Sequence, residues 1–359
     1  MRQSLWRLGT PTQPLRSVGP HPRPRSLAIL LALTLVTAGC GGGGDDPDPT
    51  TTSRPTSTTA AAGPIVPLTG LPGEGPARPA LVVKIDNAPK ARPQVGINQA
   101  DVVVEEAVEG GITRLFTVFH SQDPPVIGPV RSARSTDIAL AAPLNRPLFA
   151  YSGANSIFLK LIQEAPMVDI GVNAVPGAYR RERGRPALYD LFSSSGALFG
   201  AAPPGSGPPP PIFRYGPAAP GGRSSQGVHL EFRGRVVTLV DWRWDAAKAG
   251  WVRTQNDTAH VDADGTQIMA PNVIVQVVPY EDTGIRDQSG EPVPEAKLVG
   301  EGRALAFRDG MVTEGKWSKA SAEAITEYKT ADGQPLTLNP GQTWVELARA
   351  DSNGVLEVL

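Results

Sequence analysis

Apolar residues along this chain gather in short runs set between polar, Gly- and Pro-rich turns. Ala80–Asp86 is a β-rich run closed by Asn-Ala-Pro. Asp101–Val108 and Gly110–His120 predict two more strands, with Glu-Gly-Gly as the tight connection between them. Ser135 or Thr136 is placed to cap a helix running through Ala142 and stopped by Pro143. Pro147–Ser152 is a fourth strand. Asn155 then caps a helix whose Ile157, Phe158, Leu161 and Ile162 share one face, ending before Pro166. A further helical patch is expected near Ala187–Phe199.

Residues 203–227, PPGSGPPPPIFRYGPAAPGGRSSQG, break the pattern as a long surface loop or linker, with Phe213 and Tyr215 able to dock on a neighbour. From Val228 the helical spacing disappears. Arg235–Asp245 alternates, with Val236, Val240, Trp242 and Trp244 on one face. His260-Val261, Val273–Val278, Ala304–Phe307, Ala324–Tyr328, Leu336–Leu338 and Trp344–Leu347 follow as strand runs. Asp264-Gly265, Asp309-Gly310, Asp332-Gly333 and Asn353-Gly354 are hairpin signals between them. The expected class is α+β: an N-terminal mixed α/β domain over 64–220, then a C-terminal antiparallel β domain over 221–359, a meander or small barrel. Trp242, Trp244, Trp251, Trp317 and Trp344 suit a core better than a sugar-stacking platform.

The first 63 residues belong to neither domain. Arginines 2, 7, 16, 23 and 25 precede an apolar run, Leu27 to Val36, and then Thr37-Ala38-Gly39-Cys40. A basic segment, a short apolar core and small residues before a cleavage point make a secretory signal over 1–39. The run is too short to span a bilayer permanently. The Thr-Ala-Gly-Cys ending is similar to a bacterial lipoprotein box, with Thr37 where Leu is more usual. That resemblance implies lipidation (palmitate or a similar acyl group) at Cys40 and a location on the extracytoplasmic face of the cell membrane. Each buried methylene of such an anchor is worth about 0.8 kcal/mol. Residues 40–63 are nearly devoid of apolar side chains and serve as a flexible tether.

Charge narrows the partners. The chain carries 34 basic and 35 acidic residues; removing the five leader arginines leaves 29 against 35, a net charge near −6. A phosphate-backbone binder needs a basic face, so no nucleic-acid partner is expected. Cys40 is the only cysteine, which excludes a disulfide or a thiol nucleophile in the folded part. His120, His229 and His260 match no metal-ligand spacing, and Glu281, Asp282 and Asp287 look like a solvated loop; no metal and no cofactor are expected. G-x-S-x-G, P-loop and G-x-G-x-x-G motifs are absent. Tyr151-Ser152-Gly153 follows a strand without an evident histidine.

The densest polar region lies between Ala80 and Asp137. Its candidate ligand-binding residues are Asp86, Asn87, Arg92, Gln94, Glu105, Glu109, Thr113, Arg114, Arg131, Ser132 and Arg134. On one strand Glu105 and Glu109 stand about 13 Å apart at 3.3 Å per residue. Paired glycosidase carboxyls need about 5 to 9.5 Å, so these two make no catalytic pair, although Asp86 or Asp137 could join either. Arg131 and Arg134, on a turn entering a capped helix, would combine guanidinium forks with free backbone N–H groups as an anion grip. The alternative is that the arginines pair with Glu105, Glu109 and Asp137 and lock the strands together.

The segments IDNAPKARPQVGINQADVVVEE, VEGGITRLFTVF and IGPVRSAR, with NVIVQ, GEGRALAF and LNPGQTWVEL further on, resemble the YerB-type lipoprotein family, a bacterial two-domain family of no settled function. The resemblance runs from about Leu68 to Leu359. It implies a family-like polar set that adds Asp101, Gly110 and Gly111 to the residues named above. The family tends to have Pro-His where this chain has Pro186-Ala187. The leading expectation is a lipid-anchored surface protein that binds an anionic or polyhydroxy envelope ligand, a glycan, or a partner protein. The alternatives are a cell-wall glycan or peptide hydrolase using Asp86 or Glu105 with Arg131 or Arg134, and a structural adaptor without a ligand.

Overall fold

The computed structural model describes residues 63–359 except Gly205 and Gln288. The leader, Cys40 and the tether up to residue 62 lie outside the described residues. No helix among the described residues is long and apolar enough to cross a membrane.

Short β-branched runs form β1 (Leu81–Asp86), β2 (Val102–Ala107) and β3 (Thr113–Phe119), all buried along their full lengths. α1 (Thr136–Ala141), β4 (Leu148–Ala150), α2 (Ser156–Glu164) and β5 (Val168–Asp169) follow. β6 (Arg180–Arg181) and β7 (Leu191–Phe192) make a small ribbon before α3 (Ser195–Phe199). The rest of the described chain is extended: β8 (Arg223–Ser224), β9 (Gly227–Arg233), β10 (Val237–Asp245), β11 (Gly250–Gln255), β12 (Thr258–Ala259) and β13 (Met269–Ala270), then β14 (Asn272–Val278), β15 (Tyr280–Arg286) and β16 (Pro292–Ala296). β17 (Gly300–Arg308), β18 (Met311–Lys319), β19 (Glu327–Thr330), β20 (Thr343–Arg349) and β21 (Gly354–Val358) complete it.

Several local expectations shift. Asn155 accepts a hydrogen bond from the Ile157 N–H at 2.9 Å and caps α2, yet only Phe158 and Ile162 face the core; Ile157 and Leu161 are exposed. Ser135 provides no side-chain cap to α1, and Pro143 continues the chain as a 3-10 turn, Ala142–Leu144. The Ala187–Phe199 patch is helical only in α3, because Leu191–Phe192 pairs as β7. His260-Val261 and Leu336–Leu338 form isolated bridges or turns rather than strands.

Eleven strands make one sheet in the order β19-β18-β17-β14-β20-β2-β3-β1-β4-β5, with β8 on β18. β20 joins its halves. Thr343 lies opposite Asn272 on one side and Val102 on the other, and β20 runs parallel to both neighbours. The purely antiparallel C-terminal domain is therefore corrected. The last long strand is inserted beside β2, a placement that hairpin signals cannot encode because parallel pairing needs a crossover. Asn353-Gly354 likewise closes no hairpin: it carries the chain from β20 to β21, which pairs with β9 in the other sheet. That second sheet, β12-β11-β10-β9-β21 with β13 on β11, is antiparallel throughout.

The faces of the large sheet have different covers. Leu81, Val83, Ile85, Val103, Leu115, Val275 and Phe307 pack with Val228, Leu230, Phe232, Val240, Trp242 and Trp251 of the second sheet. Val82, Val104, Phe116, Val118, Val345 and Leu347 pack with Ala141, Leu144, Phe213 and Leu338. Trp242 meets Trp344 edge-on at 5.1 Å, and Trp242, Trp251, Trp317 and Trp344 are all buried core. Phe213 is buried, and the Tyr215 hydroxyl donates to Leu68 O at 2.7 Å, so the Pro-rich stretch docks on the first domain.

Candidate functional site

Side chains alternate across a strand, so neighbouring acids of β2 meet different surroundings. Glu105 shares its face with Val103 and Ala107 and points at the second sheet; Glu106 points the other way. Beyond Ala107 the alternation ends, because Gly110 takes a left-handed turn (φ 68°) and Gly111 follows at φ 85°. A Cβ on Gly111 would stand 2.1 Å from Val236 O, and Val236 N donates to Gly110 O at 2.9 Å. The Gly-Gly pair thus admits the β9–β10 turn and turns Glu109 out of the β2 register.

Three polar clusters result. Under α1, Lys84 pairs with Glu106 and, at 2.7 Å, with Asp137, all three buried. Burial and the Asp137 charge push Glu106 up while Lys84 opposes them. The second cluster is a seam between the sheets. Arg253 binds Glu105 and donates to Gln255 Oε1 at 2.8 Å and to His260 Nδ1. Thr113 Oγ1 and Asn87 Nδ2 donate to Glu105 Oε1 at 2.6 and 3.0 Å. Gln94 ties Asn87 to His260, at 2.9 and 2.8 Å. Trp242 Nε1 donates to Glu346 Oε1 at 2.7 Å. With Arg253 donating to Nδ1, His260 carries its proton on Nε2; burial and the charges of Arg253 and Arg92 hold it neutral, well below its ordinary value. Burial, then the Glu105 charge, pushes Glu346 well up. Every seam side chain from Asn87, Gln94, Glu105, Thr113, Arg253, Gln255, His260 and Glu346 is buried. Arg92 borders this seam, half-buried, with Nη1 3.4 Å from Gln255 O.

The third cluster opens to solvent as a cleft of about 620 Å³. Arg114, Arg131, Arg134, Arg181, Arg235 and Arg286 line it with Glu109, Asp287 and Glu291, six cations against three anions. Arg134 grips Glu109 with both prongs of its fork, at 2.5 and 2.7 Å. Burial alone would raise Glu109, but the Arg134 bonds and charge and the Arg114 charge hold it below its ordinary value. Arg131 Nε stands 2.7 Å from Asp86 Oδ2 but off line, as an ion contact without a hydrogen bond. Arg181 pairs with Asp190, Arg286 with Asp282, and Arg235 with Glu291. Arg114 differs from all of these. Its Nη1 donates to Ser132 O at 2.9 Å, its Nε is buried with no partner, and Glu109 is 3.9 Å from its Nη2. Burial and the Arg134 charge lower it to about 10, so it remains a cation at neutral pH.

The predicted set is therefore divided. Glu109, Arg114, Arg131, Ser132 and Arg134 line the cleft; Asn87, Gln94, Glu105 and Thr113 lie in the seam, with Arg92 at its edge. Asp86 sits behind Arg131 and also accepts from Ala88 N at 2.8 Å. Asp101 lies apart, accepting from Ser121 N at 2.9 Å. The expected helix-end donors do not form: Asp137 Oδ2 takes the Arg134 N–H at 2.7 Å, and α1 is only six residues long. Sequence reasoning missed Arg181, Arg235 and Arg286, which reach the cleft from distant segments, Lys84, a charged residue in a strand run that signalled only burial, and Arg253, in a segment where no strand was expected.

Comparison with known proteins gives the architecture a family. Residues 68–204 match the N-terminal domain, and 228–345 the C-terminal domain, of a protein of unknown function, DUF3048. "Putative lipoprotein YerB" of Bacillus subtilis (strain 168) is 29% identical over 313 residues, 78% of this chain and 85% of that protein. The crystal structure of YerB protein from Bacillus subtilis superposes with a TM-score of 0.71 at 24% identity, over 82% of this chain and 99% of that one. The chain belongs to this YerB-type two-domain family. Both family domains of this chain contribute to the eleven-stranded sheet, and both line the arginine cleft.

Proposed function

We propose that this family member is a lipid-anchored protein of the extracytoplasmic membrane face that holds an anionic, hydroxyl-rich cell-envelope ligand in the arginine cleft. The observation that carries the reading is Arg114: a buried guanidinium with an undonated Nε beside an open cleft. A buried donor without a partner costs about 1–3 kcal/mol, more when charged. With Nη1 given to Ser132 O, the Nη2 edge makes no hydrogen bond, and a carboxylate or phosphate oxygen bound there would compensate the guanidinium charge. Arg131 and Ser132 supply the next contacts, while the Arg134–Glu109 pair forms a fixed wall. Anchoring rests on the leader and Cys40 and is supported by the lipoprotein name of the Bacillus relative. The seam residues, in this reading, hold the sheets together and touch no ligand. The hydrolase reading gains nothing from the geometry, since Asp86 and Glu105 are 1% and 0% exposed and each faces an arginine.

The test uses the full chain carrying Cys40→Ala, titrated with muropeptides released from peptidoglycan and with uncharged chito-oligosaccharide. Muropeptides are expected to bind saturably and more weakly as salt rises. Arg114→Met is expected to reduce affinity about tenfold or more, the scale of one charge-assisted hydrogen bond, without lowering the melting temperature. Equal binding of both sugars, or an Arg114→Met effect confined to the melting temperature, removes the proposal.

A further inference from the structure

On the face of the large sheet away from the seam, an apolar cavity of about 70 Å³ lies next to a solvent cleft of about 1210 Å³. Val104, Phe116, Leu144, Phe213, Tyr328 and Leu347 are among the walls of the cavity. The β2 and β3 residues, the 3-10 turn after α1, the docked Pro-rich stretch and the β19–β20 region all converge here, so neither family domain builds the cavity alone. Val299 on the outer cleft and Ile325, which borders both spaces, are exposed (51% and 38%).

One charged residue, Lys319 at the end of β18, lines both the cavity and the outer cleft. It is only 4% exposed, its ammonium donates to Ala324 O, and it pairs with no carboxylate among the described residues. Buried ammonium groups are normally paired, because an isolated charge away from water is costly. Burial has pushed this one down to about 8, against the weaker opposing charge of Glu323. The site therefore joins an apolar wall, exposed apolar residues and one under-compensated positive charge.

We infer that this is a second binding site, separate from the arginine cleft, that takes a single-chain amphiphile with its tail along the apolar wall and a carboxylate head on Lys319. A monoanion matches one ammonium. A dianionic phosphate would leave a surplus negative charge in an apolar site beside Glu323. The tail is bound by apolar burial, at about 25 cal/mol per Å² removed from water.

Dodecanoate, dodecanol and dodecyl phosphate, each below its micellar concentration, are titrated calorimetrically into the full chain carrying Cys40→Ala. Dodecanoate is expected to bind one to one and tighter than the other two. Lys319→Met, which removes a buried charge and keeps the apolar stem, is expected to weaken dodecanoate about tenfold and leave dodecanol unchanged. Ile325→Trp, on the exposed border, is expected to block dodecanoate while leaving the melting temperature in place; Arg114→Met is expected to change nothing. The inference is overturned if dodecanol binds as tightly as dodecanoate, if dodecyl phosphate binds tighter, or if Ile325→Trp leaves dodecanoate affinity intact.

Discussion

The seam and the cleft are made from the same stretch of chain and the same kinds of side chain, yet they end in opposite states. Glu105 and Thr113 go to the seam; Glu109 and Arg114 go to the cleft. In the seam, the second sheet supplies Arg253, Gln255 and His260, and water is excluded. In the cleft, the same part of the molecule supplies one charged side chain, Arg235, beside Val236, and the arginines outnumber the acids. A buried polar network that satisfies most of its donors fixes the packing of the elements that carry it. The same residue types, left short of acceptors and open to solvent, form a place for a ligand.

The largest effect expected from this contrast is at Arg253. Arg253→Met leaves Glu105 and Glu346 buried without their cation, and chemical denaturation is expected to show a loss of about 3–5 kcal/mol. Arg114→Met strips no hydrogen-bonded carboxylate and is expected to leave stability unchanged or slightly raised. Similar losses at both positions would erase the distinction between the two clusters.

Acid separates the regions next. His260 is held neutral, well below its ordinary 6.5, so the unfolded chain takes up a proton that the folded chain refuses. Its contribution is complete above pH 6.5 and drains away as pH falls, by at most about 1.4 kcal/mol per pH unit. Glu109, held below its ordinary 4.5, keeps its contribution above pH 4.5 and loses it only as pH falls further through the folded value. Glu346 and Glu106, pushed up by burial, gain stability over the same fall in pH, and His120, also lowered by burial, loses it. The His260 share is therefore read by difference: between pH 7 and 5 the melting temperature of His260→Gln is expected to fall less, or rise more, than that of the parent chain, while Glu109→Gln follows the parent. A slope in that window identical in His260→Gln and the parent chain would remove the assignment.

The smallest effect belongs to the rim. Arg286 pairs with Asp282 at 2.8 Å with both side chains about half exposed. Arg286→Ala is expected to alter stability by less than about 0.5 kcal/mol and to lower muropeptide affinity only about twofold, an effect that salt abolishes. A larger loss there than at Arg114 would move the centre of the site to the β15–β16 ribbon.

Much of this was visible in the pattern of residues. Alternation and β-branched runs located β1, β2, β3, β10, β14 and β20, and Asp309-Gly310 marked the β17–β18 hairpin. Asn155 announced the start of α2. Ile157 and Leu161 were misplaced because helical spacing defines a face without saying how much of it a neighbour covers. The dense polar stretch located both clusters without separating them, since the partners that divide it, Arg253 and His260 on one side and Arg235 and Arg286 on the other, lie more than a hundred residues away.

What the sequence determined alone is therefore local: where the main strand runs lie, which side chains alternate, and where glycine permits a left-handed turn. The insertion of β20 between β14 and β2, the burial of Glu105 beside the exposure of the Arg114 cleft, and the isolation of Lys319 were decided only in three dimensions. The reason is physical: propensity and periodicity act over a few neighbouring residues, whereas burial and charge pairing depend on groups brought together by long-range sheet contacts.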